Sequence, residues 1–163
     1  MLVVGSVALD SVKTPFGNAE EALGGSATYF STSASYFTDI RLVAVVGEDF
    51  PKEHIQFLKS RNIDVRGLSQ AAGKTFRWAG EYSYDLNEAH TLATHLNVFE
   101  SFKPEVIEDY KDSEVVFLAN IDPVQRRLGD VHVTAADQLR HVPVQKRQQK
   151  CGDVVSVRIG VSQ

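Results

Sequence analysis

Apolar residues recur along this chain in two rhythms. Leu2-Val3-Val4-Gly5-Ser6-Val7 is a short apolar run that stops before Asp10, the pattern of a buried first strand. Arg41 to Gly47 and Glu114 to Ala119 are rich in β-branched residues and predict two more buried strands. Ser11 to Phe16 predicts a second extended piece, closed by the turn dipeptide Gly17-Asn18. Thr75 to Tyr84 and Thr91 to Phe99 alternate instead, which predicts half-exposed strands. Between them lie segments with helical spacing. Ser26 to Phe37 carries Tyr29, Phe30, Ser33, Tyr36 and Phe37 at such intervals. Phe50-Pro51 opens a second helix whose apolar face is Ile55, Phe57 and Leu58, and Pro104 to Tyr110 predicts a short third one. Strand–helix–strand alternation predicts an α/β fold with a mostly parallel sheet and the alternating pair as an antiparallel side feature. Phe76, Trp78, Tyr82 and Tyr84 share one strand face, and such a face either covers a pocket or pairs with a partner, here a second copy.

Length and charge narrow this picture. The 163 residues suit one domain, and 43% hydrophobic with 23% charged residues is a globular composition. A net charge of −4 gives no support for a nucleic-acid partner. The lone Cys151 cannot form an intrachain disulfide, which favours a reducing compartment. No apolar run approaches the ~20 residues that cross a bilayer. The apolar start, interrupted by Asp10, lacks a basic leader, so neither membrane nor export is expected and a cytoplasmic site is.

The totals conceal a break. All 15 aromatic residues lie within 1–124 and none in the 39 residues 125–163. The first stretch carries 10 basic and 18 acidic side chains, net −8, and the second 7 and 3, net +4. Gln occurs twice in the first and six times in the second. Residues 125–163 are then either a basic solvated tail or not the natural continuation of the fold, as a frame-shifted reading would be.

Candidate chemistry is sparse. Gly67 to Thr75 looks like a phosphate-binding loop but has five residues between its glycines where four are needed, and a strand follows instead of a helix. A turn into a strand is the expectation there. Gly24-Gly25 before a helix permits close backbone approach, either to a ligand or to tightly packed neighbours. Asp10 stands just past a buried strand, where α/β proteins place ligand groups. Its carboxylate can accept from two neighbouring hydroxyls, as on a sugar, or serve as a cap. His90 and His95 are five apart, which suits neither a helix face nor one side of a strand, so no metal site is expected.

Three ordered segments carry a resemblance: Gly5-Ser-Val-Ala-Leu-Asp10, Gly24-Gly25-Ser-Ala-Thr-Tyr29 and Val45-Val46-Gly47-Glu48-Asp49. Gly73-Lys-Thr-Phe-Arg-Trp78 and the strand ending Ala119-Asn120 follow in order. From Val3 to about Val124 the chain resembles the N-terminal half of a PfkB-type, ribokinase-like carbohydrate or nucleoside kinase. The resemblance implies an incomplete three-layer α/β fold over 1–124, with a mostly parallel sheet and a small β lid from about 11–22 and 75–99. It implies that a sugar or nucleoside is bound by Asp10, Gly24, Gly25, Ser26, Tyr29 and Asn120, with Phe16, Phe76 and Trp78 on the lid. Sugar kinases more often have Asn at the place of Tyr29, which opens the site to an aromatic-tolerant, nucleoside-like ligand.

A larger departure is an absence. The family's catalytic Asp sits in a Gly-Ala-Gly-Asp-type loop opening a helix, where helix-end amides steady the transferring phosphoryl and the Asp takes the hydroxyl proton. Gly129-Asp130 and Cys151-Gly152-Asp153 are not glycine-rich, and Val154 to Val161 alternates as a strand. No residue here matches a catalytic one, and the Mg-ATP site implied by the family belongs to a part this chain lacks. The expectation is the substrate-binding half of a kinase, inactive as it stands. The alternative is a non-catalytic small-molecule binding or interaction module.

Overall fold

The computed structural model describes residues 1–119 and the backbone of the strand Val155–Arg158. The buried runs become strands β1 (Leu2–Gly5), β4 (Ile40–Gly47) and β8 (Val115–Ala119), each with few or no polar side chains to hydrate. With β5 (Ile63–Ala71) and β9 (Val155–Arg158) they form a five-stranded sheet in the order β5-β4-β1-β8-β9. Pairing is parallel throughout except β8 with β9, which is antiparallel. The alternation at Val154 to Val161 thus yields a strand, and it covers the edge of β8.

One sheet face holds Val3, Leu42, Ala44, Val46 and Phe117 beneath the helices α1 (Ser26–Ala34) and α2 (Lys52–Ser60). Pro51 stands at the N-cap of α2, and its fully buried Leu58 anchors that helix against β5. The other face packs Leu2, Val4, Val43, Val45, Val116 and Leu118 against Val98, Phe99, Phe102 and Tyr110. Burying each such side chain contributes roughly 1.5–3 kcal/mol.

A second sheet of four strands, in the order β3-β2-β6-β7, stands beside the first. It is made by the hairpin β2 (Ala8–Thr14) and β3 (Gly17–Gly24) and the antiparallel pair β6 (Arg77–Tyr82) and β7 (Ala89–His95). Parallel pairing of β2 with β6 joins the two excursions.

Several expectations need correction. The first strand ends at Gly5, and Asp10 lies in β2 of the second sheet, because the chain leaves the large sheet at Ser6-Val7. The first lid hairpin therefore runs over Ala8–Gly24 rather than 11–22. Gly67 opens no turn but sits within β5. A Cβ there would lie 2.6 Å from the Leu42 carbonyl oxygen and 2.9 Å from the Tyr110 ring, so glycine makes room for that ring. Pro104–Tyr110 is not a helix. Ile107 is extended, Val106 and Ile107 pack against the sheet, and only Glu108–Tyr110 makes a single 3-10 turn. Helix α1 ends at Ala34, short of Phe37.

Candidate functional site

Where the two sheets meet, a cleft of about 860 Å³ opens beyond the carboxyl end of β1. Ligands gather in such crevices of open α/β sheets. Its wall on the helix side is the start of α1, which has no cap of its own. Ser6 supplies one from the β1–β2 crossing: its Oγ accepts the Ser26 N–H at 3.1 Å, and its carbonyl accepts the Ala27 N–H at 3.0 Å. The Ser6 and Ser26 hydroxyls lie 3.0 Å apart.

Asp10 is buried against the same loop. Its Oδ2 accepts the Gly25 N–H at 3.4 Å, and a Cβ at Gly24 would lie 2.0 Å from that oxygen. Gly25 itself has φ of 93°, a left-handed value, and a Cβ there would meet the Ser6 carbonyl oxygen at 2.4 Å. Burial raises the Asp10 carboxyl above its ordinary 3.8, and the Gly25 bond only partly offsets this. A carboxylate offers about four acceptor positions, and Asp10, which lines the cleft, spends one of them on a single long bond.

Tyr29 projects from α1 across the opening, 60% exposed. Burial, with Asp10 and Tyr82 nearby, raises its phenol above 10.0, so it stays a neutral donor at physiological pH. The second sheet and the residue leading into it contribute Phe76, Trp78 and Tyr82, and Asn87, His90 and Thr91 also line the cleft. The aromatic strand face therefore covers a pocket. Its last member, Tyr84, continues to the lid tip and meets Phe16 edge-on, ring centroids 5.7 Å apart.

The structure thus brings together Asp10, Gly24, Gly25, Ser26, Tyr29, Phe76 and Trp78. Phe16 is not with them: it sits at the turn between β2 and β3, 71% exposed. Asn120 lies outside the described residues. Ser6 and Thr91 also line or frame the cleft without a signal in the sequence, whereas Tyr82 belongs to the alternating aromatic face expected there.

A second group of polar residues fastens lid to sheet. Thr75 is fully buried, and both its N–H and Oγ1–H reach Asp49 Oδ1, at 2.8 and 2.7 Å. Its Oγ1 also accepts the Gly47 N–H at 3.0 Å. The other Asp49 oxygen pairs with Arg77 at 2.7 Å, and Arg77 Nε donates to Glu21 of β3 at 2.9 Å. The Asn97 amide, on the returning crossing, donates to the Thr75 carbonyl at 2.9 Å. Burial disfavours the Asp49 anion, but the bonds from Thr75 and Arg77 outweigh it and hold its carboxyl below 3.8. The Gly-Glu-Asp and Lys-Thr segments of the sequence are therefore two sides of one clasp.

No protein-family model matches the chain. It is 29% identical over 128 residues to the cytidine kinase of Thermococcus kodakarensis, covering 77% of this chain and 45% of that one. The nucleoside kinase of Methanocaldococcus jannaschii, a ribokinase-family structure, superposes with TM-score 0.56 at 20% identity over 76% of this chain and 46% of its own. The ribokinase of Cryptococcus neoformans does so with TM-score 0.51 at 20% identity, over 59% and 34%. The Burkholderia thailandensis nucleoside kinase, solved with inosine, gives 0.52 at 16% identity over 59% and 35%. The chain spans less than half the length of these relatives. Its fold is ribokinase-like, and in sequence it is similar to a cytidine kinase.

Proposed function

We propose that residues 1–119 form the substrate-binding part of a kinase that phosphorylates a sugar or nucleoside hydroxyl. The observation carrying this reading is Asp10, a buried carboxylate with most of its acceptor capacity unspent, facing a cleft large enough for a small ligand. Two neighbouring hydroxyls would replace the water that burial removes. Ser26 and the neutral Tyr29 phenol stand beside it as further donors.

The donor half of the reaction, Mg-ATP, is expected to be held outside residues 1–119. Mg-ATP needs amides that cradle phosphates and oxygens that hold the metal. The one loop-like candidate, Gly67, is closed in against Leu42 and Tyr110 within β5. Among the described residues no three or more of His, Cys, Asp and Glu are grouped so as to hold a metal ion. Nor is any helix among them long and apolar enough to cross a membrane.

The purified 163-residue chain is expected to bind a hydroxylated ligand without phosphorylating it. Residues 125–163 read as a frame-shifted stretch, since aromatics stop, charge reverses and Gln rises at one point. Translating the same nucleotides in the other two frames should continue, past the Val124 codon, into strands and helices and a Gly-Ala-Gly-Asp-type loop. If neither frame does so and the chain phosphorylates a sugar or nucleoside, the tail reading and the inactivity are both wrong.

The lid also suits a homodimer. Strands β3 and β7 are its open edges, and Leu92 on β7 is 61% exposed. Sedimentation should show a concentration-dependent dimer that Leu92→Lys weakens. A monodisperse monomer at high concentration would count against it.

A further inference from the structure

Trp78 is the only tryptophan of the chain, and its ring is held in one place. The pairing of β6 with β7 slips between Ala79 and Gly80, so that Gly80 faces Thr91. The indole lies across Gly80: a Cβ there would be 2.1 Å from Cη2 and 2.4 Å from Cζ2. Its Nε1–H donates to Thr91 Oγ1 at 3.2 Å. The polar edge of the ring is thereby satisfied within the lid, and the indole, still part of the cleft lining, has apolar carbon surface left to offer a ligand. In the β2–β6 register Trp78 stands directly beside Asp10, one strand spacing (~4.8 Å) away. A ligand whose hydroxyls sit on Asp10 therefore carries its next substituent over the indole.

We propose that Gly80 and Thr91 fix Trp78 as a preset stacking platform for a planar base, so that the cleft selects a nucleoside over a plain sugar. The proposal rests on the reading that Asp10 holds ligand hydroxyls. The room agrees with it: about 860 Å³ lies near the upper end of the ~300–1,000 Å³ that drug-sized ligands occupy. A lone monosaccharide would leave much of it filled with water. Tyr82, on the same lid face, and Tyr29, across the opening, extend the apolar walls. A ring already pinned loses little freedom when a base stacks on it, so the contact is gained at small entropic cost.

The test is titration of the 163-residue chain with uridine, adenosine and ribose, by calorimetry and by the emission of the single tryptophan. Nucleosides should bind roughly tenfold or more tighter than ribose, the scale of one base stacked on an aromatic ring, and quench the emission. Gly80→Ala, which lifts the ring, and Trp78→Leu, which removes it without crowding, should each collapse that preference. Sugars also lie against indoles, so equal affinity for ribose and nucleosides overturns the platform while leaving Asp10 in place. Nucleoside binding that leaves the emission unchanged, and survives Trp78→Leu, overturns it too. If no hydroxylated ligand binds, the reading of Asp10 fails and the platform with it.

Discussion

Asp10→Ala should weaken ligand binding by about 1.5–3 kcal/mol, the range for hydrogen bonds to a charged group. Asp10→Asn should weaken it as well, yet leave the empty protein at least as stable as the parent. The reason is the sign of the shift. Burial holds the folded carboxyl above its ordinary 3.8, so the anion is disfavoured by folding and costs stability at neutral pH. Acidification through the folded value relieves that cost while it removes the acceptor. Stability linked to Asp10 therefore rises as pH falls, and ligand affinity falls over the same range. Asp49 behaves in the opposite sense. Its folded value is lowered, so its contribution is present above 3.8 and is lost as pH drops through the folded value. Calorimetric titrations and thermal melts across the acid range check both. An Asp10→Asn protein that binds a confirmed ligand as tightly as the parent would remove Asp10 from the site.

Gly25→Ala should be the most damaging single methyl in the binding region. At φ 93° and ψ 144° the backbone is in a region that side chains rarely enter, costing roughly 1–3 kcal/mol. The new Cβ would also stand 2.4 Å from the Ser6 carbonyl oxygen and 2.9 Å from the Ala8 nitrogen, both backbone atoms of the crossing. Neither can swing aside as a side chain could. The crossing must move, and with it go the bonds that Ser6 accepts from the start of α1. We expect a large fall in the denaturation midpoint and loss of ligand binding together. Ser33→Ala, on the exposed side of α1, is the control and should be neutral or slightly stabilising. A Gly25→Ala protein with parental midpoint and affinity would show that this loop does not shape the site.

What the sequence made legible were features whose cause is local. The apolar runs of β1, β4 and β8 declare buried parallel strands because both faces must be apolar, and Pro51 marks the start of α2. Strand β5 was hidden for the contrary reason. Gly67 and Ser69 are poor strand residues: Gly67 leaves space for the Tyr110 ring, 43 positions later, whose hydroxyl donates to the Asp64 carbonyl at 3.2 Å, and the Ser69 hydroxyl donates to the Ala44 carbonyl. The sequence points to Asp10 as a ligand group but not to the sheet that holds it, since nothing in Gly5-Ser6-Val7 announces a change of sheet. The clasp of Asp49, Thr75 and Arg77 and the seat of Trp78 on Gly80 depend on pairs that only folding brings together.

The sheet order also fixes a timetable for the nascent chain. β1 is made first but lies in the middle of its sheet, with β4 on one side and β8 on the other. Val4 cannot meet Leu118 until the ribosome has passed well over a hundred codons, on the order of ten seconds at ordinary elongation rates. The lid waits in the same way, since β2 has only its hairpin partner until β6 is made. Throughout that interval a strand that ends up buried on both faces has at least one flank unpaired. A cell producing this protein faster than its chaperones can shelter that flank should find it in inclusion bodies, and slower synthesis at low temperature should recover it.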